Sequence, residues 1–413
     1  MRKIVVDPSK DPVTSDILLV VQLRTVNDPW LPNLREFKCH GATGPFIPFI
    51  PLFLSPATTA IHIRCTKGSH AVLPVVATVI SRFSTLCLNL ERVTILDLPR
   101  DPIVTEAVSE ILLACNRDTL QVFCVDTPLT EEAREVVYQL PRLSCLWTVI
   151  QRSASLPAVA LPNLTEIAIE YDGGHNWLQG FRGAKFEKLE SIAFHTESDH
   201  IGDFLGAFER ITPTIPAMST LSQFKFITSR SWNPNYYSLL SFNQLKTVII
   251  DFSCDDGCSS RVDDDTIVGL ARAMPKLEVL QLGRAPCRAL TGVTVNGLIV
   301  LAHRCPRLSE LRIHFLAFTL VEAATSAARP SPSAEPVVRR EDCVLACLEV
   351  GGTPIPVQSR LAIAMLLLQI FPHLLDIGYT NREWKTVRET IKDFRRIGGF
   401  VQRSSKAHPL SRI

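Results

Sequence analysis

Apolar residues recur along the chain in the spacing L-x-x-L-x-L, and the recurrence runs the length of its 413 residues. MPKLEVLQL places Leu277, Leu280 and Leu282 in that spacing, and CPRLSELRI repeats it with Leu308, Leu311 and Ile313. LPNLTEIAI (Leu164, Ile167, Ile169), FEKLESIAF (Leu189, Ile192, Phe194), MSTLSQFKF (Leu221, Phe224, Phe226) and FNQLKTVII (Leu245, Val248, Ile250) belong to the same set. Earlier copies are LPNLREFKC (Leu34, Phe37, Cys39), CLNLERVTI (Leu90, Val93, Ile95), RDTLQVFCV (Leu120, Phe123, Val125) and LPRLSCLWT (Leu143, Leu146). Weaker ones are SPATTAIHI (Ile61, Ile63), DCVLACLEV (Leu345, Leu348, Val350) and FPHLLDIGY (Leu374, Ile377). The x-L-x-L part alternates with period two, which predicts a short strand with its apolar residues facing inward.

Amphipathic stretches between the hexads predict helices. DPIVTEAVSEILLACN opens with Asp101 at the N-cap and Pro102 at the first helical position, the favoured order. VDDDTIVGLARAM begins with three aspartates, where the helix dipole is positive. SDHIGDFLGAFERI, TGVTVNGLIVLAHRC and VQSRLAIAMLLLQIF read the same way.

The first position of the thirteen hexads falls at 34, 58, 90, 120, 143, 164, 189, 221, 245, 277, 308, 345 and 374, so the intervals run from 21 to 37. That range overlaps leucine-rich repeats, whose period is roughly 20–29 residues. A strand-plus-helix unit of this size cannot bury its own apolar face, so neighbours must stack. The expected fold is α/β: an irregular leucine-rich-repeat solenoid, a horseshoe with a parallel inner sheet and outer helices. Closed barrels of alternating strands and helices need only eight strands, and thirteen hexads of drifting period do not suit a closed ring. The Asn that usually follows the strand is missing; Ala285, Asp172, Glu197 and Ser253 stand at such positions. Irregular curvature is expected from that.

The expected organisation is an N-terminal lead-in or cap over 1–30, a solenoid over 31–380, and a capping helix with tail over 381–413. Within the solenoid, TLVEAATSAARPSPSAEPVVRRE (319–341) reads as a disordered surface insertion, being rich in Ala, Ser and Pro. Near the end, Thr380 and Glu383 have capping-box spacing and Gly398-Gly399 are expected to stop the helix.

Composition narrows the function. Forty-three Lys and Arg against 41 Asp and Glu leave a formal charge of +2, which provides no strong field for nucleic acid or an anionic membrane. The most apolar stretches, LAIAMLLLQIF and the proline-broken FIPFIPLFL, are shorter than the ~20 residues that span a bilayer. No signal peptide is read at the start, so the expected location is cytoplasmic or nuclear, with the 12 cysteines reduced.

LPNLREFKC, followed by FIPLFLSPATTAIHI, resembles the first two repeats of the F-box/leucine-rich-repeat proteins of mushroom-forming fungi. In that family an N-terminal F-box docks the adaptor of a cullin–RING ubiquitin ligase, and the repeats hold the substrate. The resemblance implies a substrate-recognition region. An F-box would have to lie before Leu31, and thirty residues are too few, so a Skp-type adaptor is expected only if an F-box is supplied upstream. Asp16 to Val26 (DILLVVQLRTV) resembles the helix leading into the first repeat.

The residues alternating with the inward apolar ones should line the concave face: Trp147, Glu166, Glu170, His195, Lys225, Asp251, Gln281, Glu310, Arg312 and His314. Such a strip suits a protein partner, Trp and Arg being frequent binding hot spots; it also reads as a solvated surface. CDDGC (Cys254, Asp255, Asp256, Cys258) has zinc-ligand residue types, as does the pair Cys343 and Cys347, yet neither has a His in register, and a polar loop with core thiols explains them equally. His195 and His200 flank Glu197 and Asp199 without a G-x-S-x-G turn nearby. YDGGHNW (Tyr171–Trp177) reads as a turn-forming loop, and FIPFIPLFL as a buried extended connection or a sticky patch. No P-loop, G-x-G-x-x-G or H-E-x-x-H occurs. The expectation is therefore a non-enzymatic protein-binding scaffold with no catalytic residue, cofactor or metal, no nucleic-acid or membrane partner, and a protein substrate on the concave face. The alternative is a stand-alone binding or inhibitor module unrelated to ubiquitination.

Overall fold

The structure is a computed structural model that describes residues 2–8, 30–66, 73–150, 161–171, 186–197, 204–211, 220–229, 235–252, 262–283, 292–313, 343–350, 355, 357–379 and 382–406. The chain divides into two compact units, Met1–His200 with Arg210–Thr220, and Ile201–Glu209 with Leu221–Ile413.

Every one of the thirteen hexads forms a strand. In the first unit these are β2 (Glu36–Ala42), β3 (Ala60–Cys65), β4 (Arg92–Leu96), β5 (Val122–Pro128), β6 (Cys145–Ile150), β7 (Glu166–Tyr171) and β8 (Ser191–Thr196), preceded by β1 (Lys3–Val6). The second unit holds β9 (Gln223–Thr228), β10 (Thr247–Phe252), β11 (Val279–Leu282), β12 (Glu310–Arg312), β13 (Cys347–Glu349) and β14 (Asp376–Gly378). Within each unit the strands pair in parallel and in chain order. Each unit is thus an irregular α/β repeat solenoid, as the hexad spacing predicts.

The first hexad leucine precedes the strand and seals the turn into it. Leu34, Leu90, Leu120, Leu143, Leu164 and Leu189 in the first unit are all 0% exposed, as are Leu221, Leu245, Leu277, Leu308, Leu345 and Leu374 in the second. Immediately after this residue comes a recurring backbone bond. The carbonyl of Thr59 accepts from both Glu91 N–H (2.7 Å) and Arg92 N–H (3.1 Å); that of Glu91 accepts from Gln121 and Val122; that of Gln121 from Ser144 and Cys145. The same double acceptance recurs at Arg2, Arg35, Ser144 and Thr165, and in the second unit at Ser222, Lys246, Glu278, Ser309 and Ala346. Each acceptor after Arg2 sits one residue past the first hexad position, so the bond fixes the register of successive repeats.

The drifting period has a simple cause, the kind of connector. Intervals of 29 to 32 hold α-helices: α1 (Leu73–Leu86), α2 (Pro102–Ala114), α4 (Phe204–Ile211), α5 (Asp264–Ala273), α6 (Val295–Arg304) and α7 (Arg360–Ile370). Intervals of 23 or 24 hold the seven-residue α3 (Glu131–Val137) or a 3₁₀ turn, Ile47–Phe53 or Tyr236–Leu239. α1 and α3 are additions to the helices legible from pattern. Asp101 caps α2 by accepting Ile103 N–H at 2.9 Å, with Pro102 behind it, as the sequence indicates.

Several expectations are corrected. The second hexad begins with Thr58, which is polar yet 0% exposed; its hydroxyl donates to Leu34 O at 3.1 Å and accepts from Ser55 N–H at 3.1 Å, so both hydrogen-bonding roles are met. FIPFIPLFL is a buried 3₁₀ turn rather than an extended connection. Its Phe53 stacks on Phe37 of β2 at 5.6 Å and takes the edge of Trp30 at 5.6 Å. The C-terminal helix α8 (Glu383–Lys406) runs through Gly398-Gly399 instead of stopping there; a helical glycine costs only about 1 kcal/mol relative to alanine. Glu383 accepts Ile355 N–H at 2.8 Å, while Thr380 lies outside the described residues. So does the 319–341 stretch. Residues 1–30, read as a lead-in, contribute β1; Met1, Ile4 and Val6 carry the hexad spacing in a chain start that the leucine count passes over.

Adjacent repeats are also clipped through helix starts. In α5, Asp263 caps its own helix by accepting Thr266 N–H at 2.8 Å. Asp264 serves the next repeat: it accepts Thr294 N–H (2.8 Å), Thr294 Oγ1 (2.6 Å) and Gly297 N–H (3.2 Å) at the start of α6. A Cβ on Gly297 would lie 2.5 Å from Asp264 Oδ1. Alanine is the better helix former, yet Gly297→Ala is expected to cost about 1–3 kcal/mol by overpacking this clip. In an Asp264→Ala background the same change should be neutral or stabilise by up to about 1 kcal/mol. Chemical denaturation of the four proteins in this double-mutant cycle tests it; equal costs in both backgrounds contradict the clip.

Candidate functional site

Because side chains alternate along a strand, the residues between the buried ones stand on the opposite face of the sheet, and the parallel register aligns them in rows. In the first unit one row runs Lys3, Glu36, Ala60, Arg92, Val122, Cys145, Glu166, Ser191 from β1 to β8. The next runs Val5, Lys38, His62, Thr94, Cys124, Trp147, Ala168, Ala193. A third, incomplete row joins His40 to Arg64 and Leu96, and Val149 to Glu170 and His195.

Four sequence-predicted residues fall on this face. Glu166 is exposed; Trp147, Glu170 and His195 are half-buried. The small Ala168 and Ala193 follow Trp147 in its row, leaving room for the indole to reach across to His195, where the rings stack at 5.7 Å and 27°. Glu170 forms an ion pair with Arg100, from the loop before α2. Burial pushes the Glu170 carboxyl above its ordinary range; Arg100 opposes this, and Glu197 and Asp126 add to it. Beside Trp147, Cys124 and Cys145 approach to 3.6 Å between sulfurs. The hydrogen bond with Cys145 holds the Cys124 thiol below its usual range and raises that of Cys145.

In the second unit, Lys225, Asp251, Gln281, Glu310 and Arg312 all occupy outward, half-buried positions. Gln281 Nε2 donates to Glu310 Oε1 at 2.5 Å, and Arg312 pairs with Glu349 on β13. Gly378 of β14 is aligned with Glu349, and a Cβ there would come within 3.0 Å of the Glu349 side chain. Asp376, on the same strand, accepts from Arg388 Nη2 of α8 at 2.8 Å, and Lys392 Nζ lies 3.3 Å away. The register sets Arg312 directly opposite Glu349 and Gln281 opposite Arg312, so that Gln281 reaches Glu310 diagonally, one outward position back along β12. His314 lies outside the described residues.

The sequence reading missed the face of β1–β4. His40 and His62 stand with ring centroids 5.2 Å apart. Glu36 is shared by Lys38 at 3.1 Å and Lys3 at 3.3 Å, and Arg64 Nε meets Asp97 at 2.8 Å. Asp97 holds a left-handed φ of 59°, a conformation Asp tolerates better than most residues, while its N–H and that of Leu98 donate to Asp126. The signal was available: Glu36, Lys38 and His62 occupy the x positions of early hexads that Glu166 and Trp147 occupy in later ones, and His40 and Arg64 follow their hexads as Glu170 and His195 follow theirs.

The remaining sequence candidates divide between described and undescribed residues. CDDGC, Asp199, His200 and the YDGGHNW loop past Tyr171 lie outside the described residues. Cys343 is buried, which pushes its thiol up, and Cys347 stands on the outward row beside Glu310 and Asp376. The nine cysteines among the described residues are free thiols, and no three His, Cys, Asp or Glu side chains among those residues group to hold a metal. No described helix is long and apolar enough to cross a membrane.

Burial, His40, Lys38 and Arg64 all hold the His62 imidazole below its ordinary value. A histidine so depressed binds its proton more weakly in the folded chain than in the unfolded one. Folding stability should then fall as pH drops through the unfolded value of about 6.5, and level off below the folded one. His62→Gln is expected to remove that share of the decline, read as a difference between the two stability–pH curves; parallel curves contradict the assignment.

No protein-family profile and no curated protein matches the chain. Among solved structures it is similar to a protein of Bacteroides fragilis, at 12% identity and a TM-score of 0.33 over 74% of this chain and 73% of that one.

Proposed function

We propose that the chain is a non-enzymatic scaffold that binds another protein on the outward strand faces. The observation that carries this reading is the alignment of mixed polar and aromatic side chains in rows, several already held by neighbours: Trp147 by His195, Glu170 by Arg100, Arg312 by Glu349. Side chains fixed in advance lose less rotamer entropy when a partner arrives. The likeness of the LPNLREFKC and FIPLFLSPATTAIHI segments to fungal F-box/leucine-rich-repeat proteins extends the proposal to substrate recognition in a ubiquitin-ligase complex. Phe37 and Phe53 of those segments are core residues, packed on one another, so this likeness supports the fold more directly than the ligase role. A stand-alone binding module is the reading left if no ligase component associates.

Affinity capture with mass spectrometry from the native cell type tests the proposal. Trp147→Ala, Lys225→Glu, and Glu310→Lys with Arg312→Glu should each reduce recovery of a specific partner by tenfold or more, on the order of a binding hot spot, while thermal melting shows the fold intact. Unchanged recovery by all three contradicts binding through these faces. Failure to recover a Skp-type adaptor or a cullin removes the ligase role and leaves the scaffold.

A further inference from the structure

The sheet face of the first unit is electrically polar across its strands. At outward positions of β1–β4 stand four fixed cations, Lys3, Lys38, Arg64 and Arg92, against one carboxylate, Glu36. The outward positions of β5–β8 carry three carboxylates, Asp126, Glu166 and Glu170, and these four strands contain no Lys or Arg. Flanking loops add one opposite charge to each half, Asp97 beside Arg64 and Arg100 beside Glu170, so the asymmetry persists. Half-buried groups on the face respond to it: besides desolvation, the cations of the first half help to depress the His62 pKa, and Asp126 and Glu197 help to raise that of Glu170.

We infer that this face binds a protein segment of the reverse polarity, its acidic end over β2–β4 and its basic end over β6–β8. The inference rests on the reading of the strand faces as protein-binding surfaces and adds the chemistry of the partner. A nucleic acid or an anionic bilayer presents one sign of charge throughout, and would meet three carboxylates over half of its contact. A peptide with two charge blocks meets attraction at both ends. The centres of the two halves, β3 and β7, are four strand spacings apart, about 19 Å, which about six extended residues span. Within the acidic half, Trp147 offers a ring face near which a partner Lys or Arg gains cation–π attraction.

Fluorescence anisotropy with labelled synthetic peptides on the full chain tests this. One peptide carries three Glu, three neutral residues and three Lys; its control has the same composition with the charges alternating. The block peptide is expected to bind about fivefold more tightly than the control, several exposed ion pairs each contributing little, and the preference should shrink as salt is raised. Lys38→Glu with Arg92→Glu, and separately Glu166→Lys, should each abolish the preference. Equal binding of the two peptides by the unaltered chain overturns the inference, as does a preference that survives both variants. If partner capture depends on Trp147 and Lys225 while the two peptides bind alike, the scaffold reading stands and the charge-polarity inference falls.

Discussion

A single backbone carbonyl, one residue past the first buried position of eleven of the thirteen hexads, accepts two successive N–H groups from the following repeat. Almost everything else in the molecule depends on that shared acceptor. It places the hexads in step, so that buried apolar residues stack and the residues between them fall into straight rows. A slip of one residue would exchange the two faces of a strand, sending Phe123 and Val125 to solvent and Cys124 and Asp126 into the core. One such bond is worth only about 0.5–1.5 kcal/mol net; its effect comes from recurrence, coupled with leucines buried at every turn but that of Thr58.

Leucine-rich repeats commonly bind the loop with an Asn after the strand, and this chain lacks it. Before the strands, hydroxyl groups add to the backbone bonds between repeats. Ser144 Oγ donates to Gln121 O at 3.0 Å, Thr165 Oγ1 to Ser144 O at 2.9 Å and Ser309 Oγ to Glu278 O at 3.0 Å, each reinforcing the backbone acceptor of the repeat before it. Thr58 instead donates to Leu34 O, one residue before the shared acceptor Arg35, from an interior position. These contacts lie at the strand starts rather than in the connectors, where a 3₁₀ turn and a fourteen-residue helix coexist in one unit.

The repeat was legible because a hexad is a local pattern whose buried positions are nearly all apolar. Thr58 shows the limit of that signal: its burial depends on partners supplied by Leu34 and Ser55, which no hydropathy pattern contains. β1 was hidden because its hexad uses Met1, Ile4 and Val6 instead of leucine. For the outward face, alternation correctly placed Trp147, Glu166, Glu170 and His195, since orientation follows from parity along the strand. What parity does not reveal is pairing. The Arg312–Glu349 and Gln281–Glu310 contacts need the register between repeats 29 to 37 residues apart, and the polarity of β1–β8 emerges only when eight hexads are aligned as rows.

Native-state hydrogen exchange measures the shared-carbonyl clamp most directly. The amides of Glu91, Arg92, Gln121, Val122, Ser144 and Cys145 all donate to such carbonyls in neighbouring repeats of one unit. Their exchange should be slow and should occur with similar opening free energies, because no repeat can release them without exposing the leucines of the next. Fast exchange at these amides, or repeats that open one at a time while their neighbours stay protected, would contradict the clamp as the organising interaction.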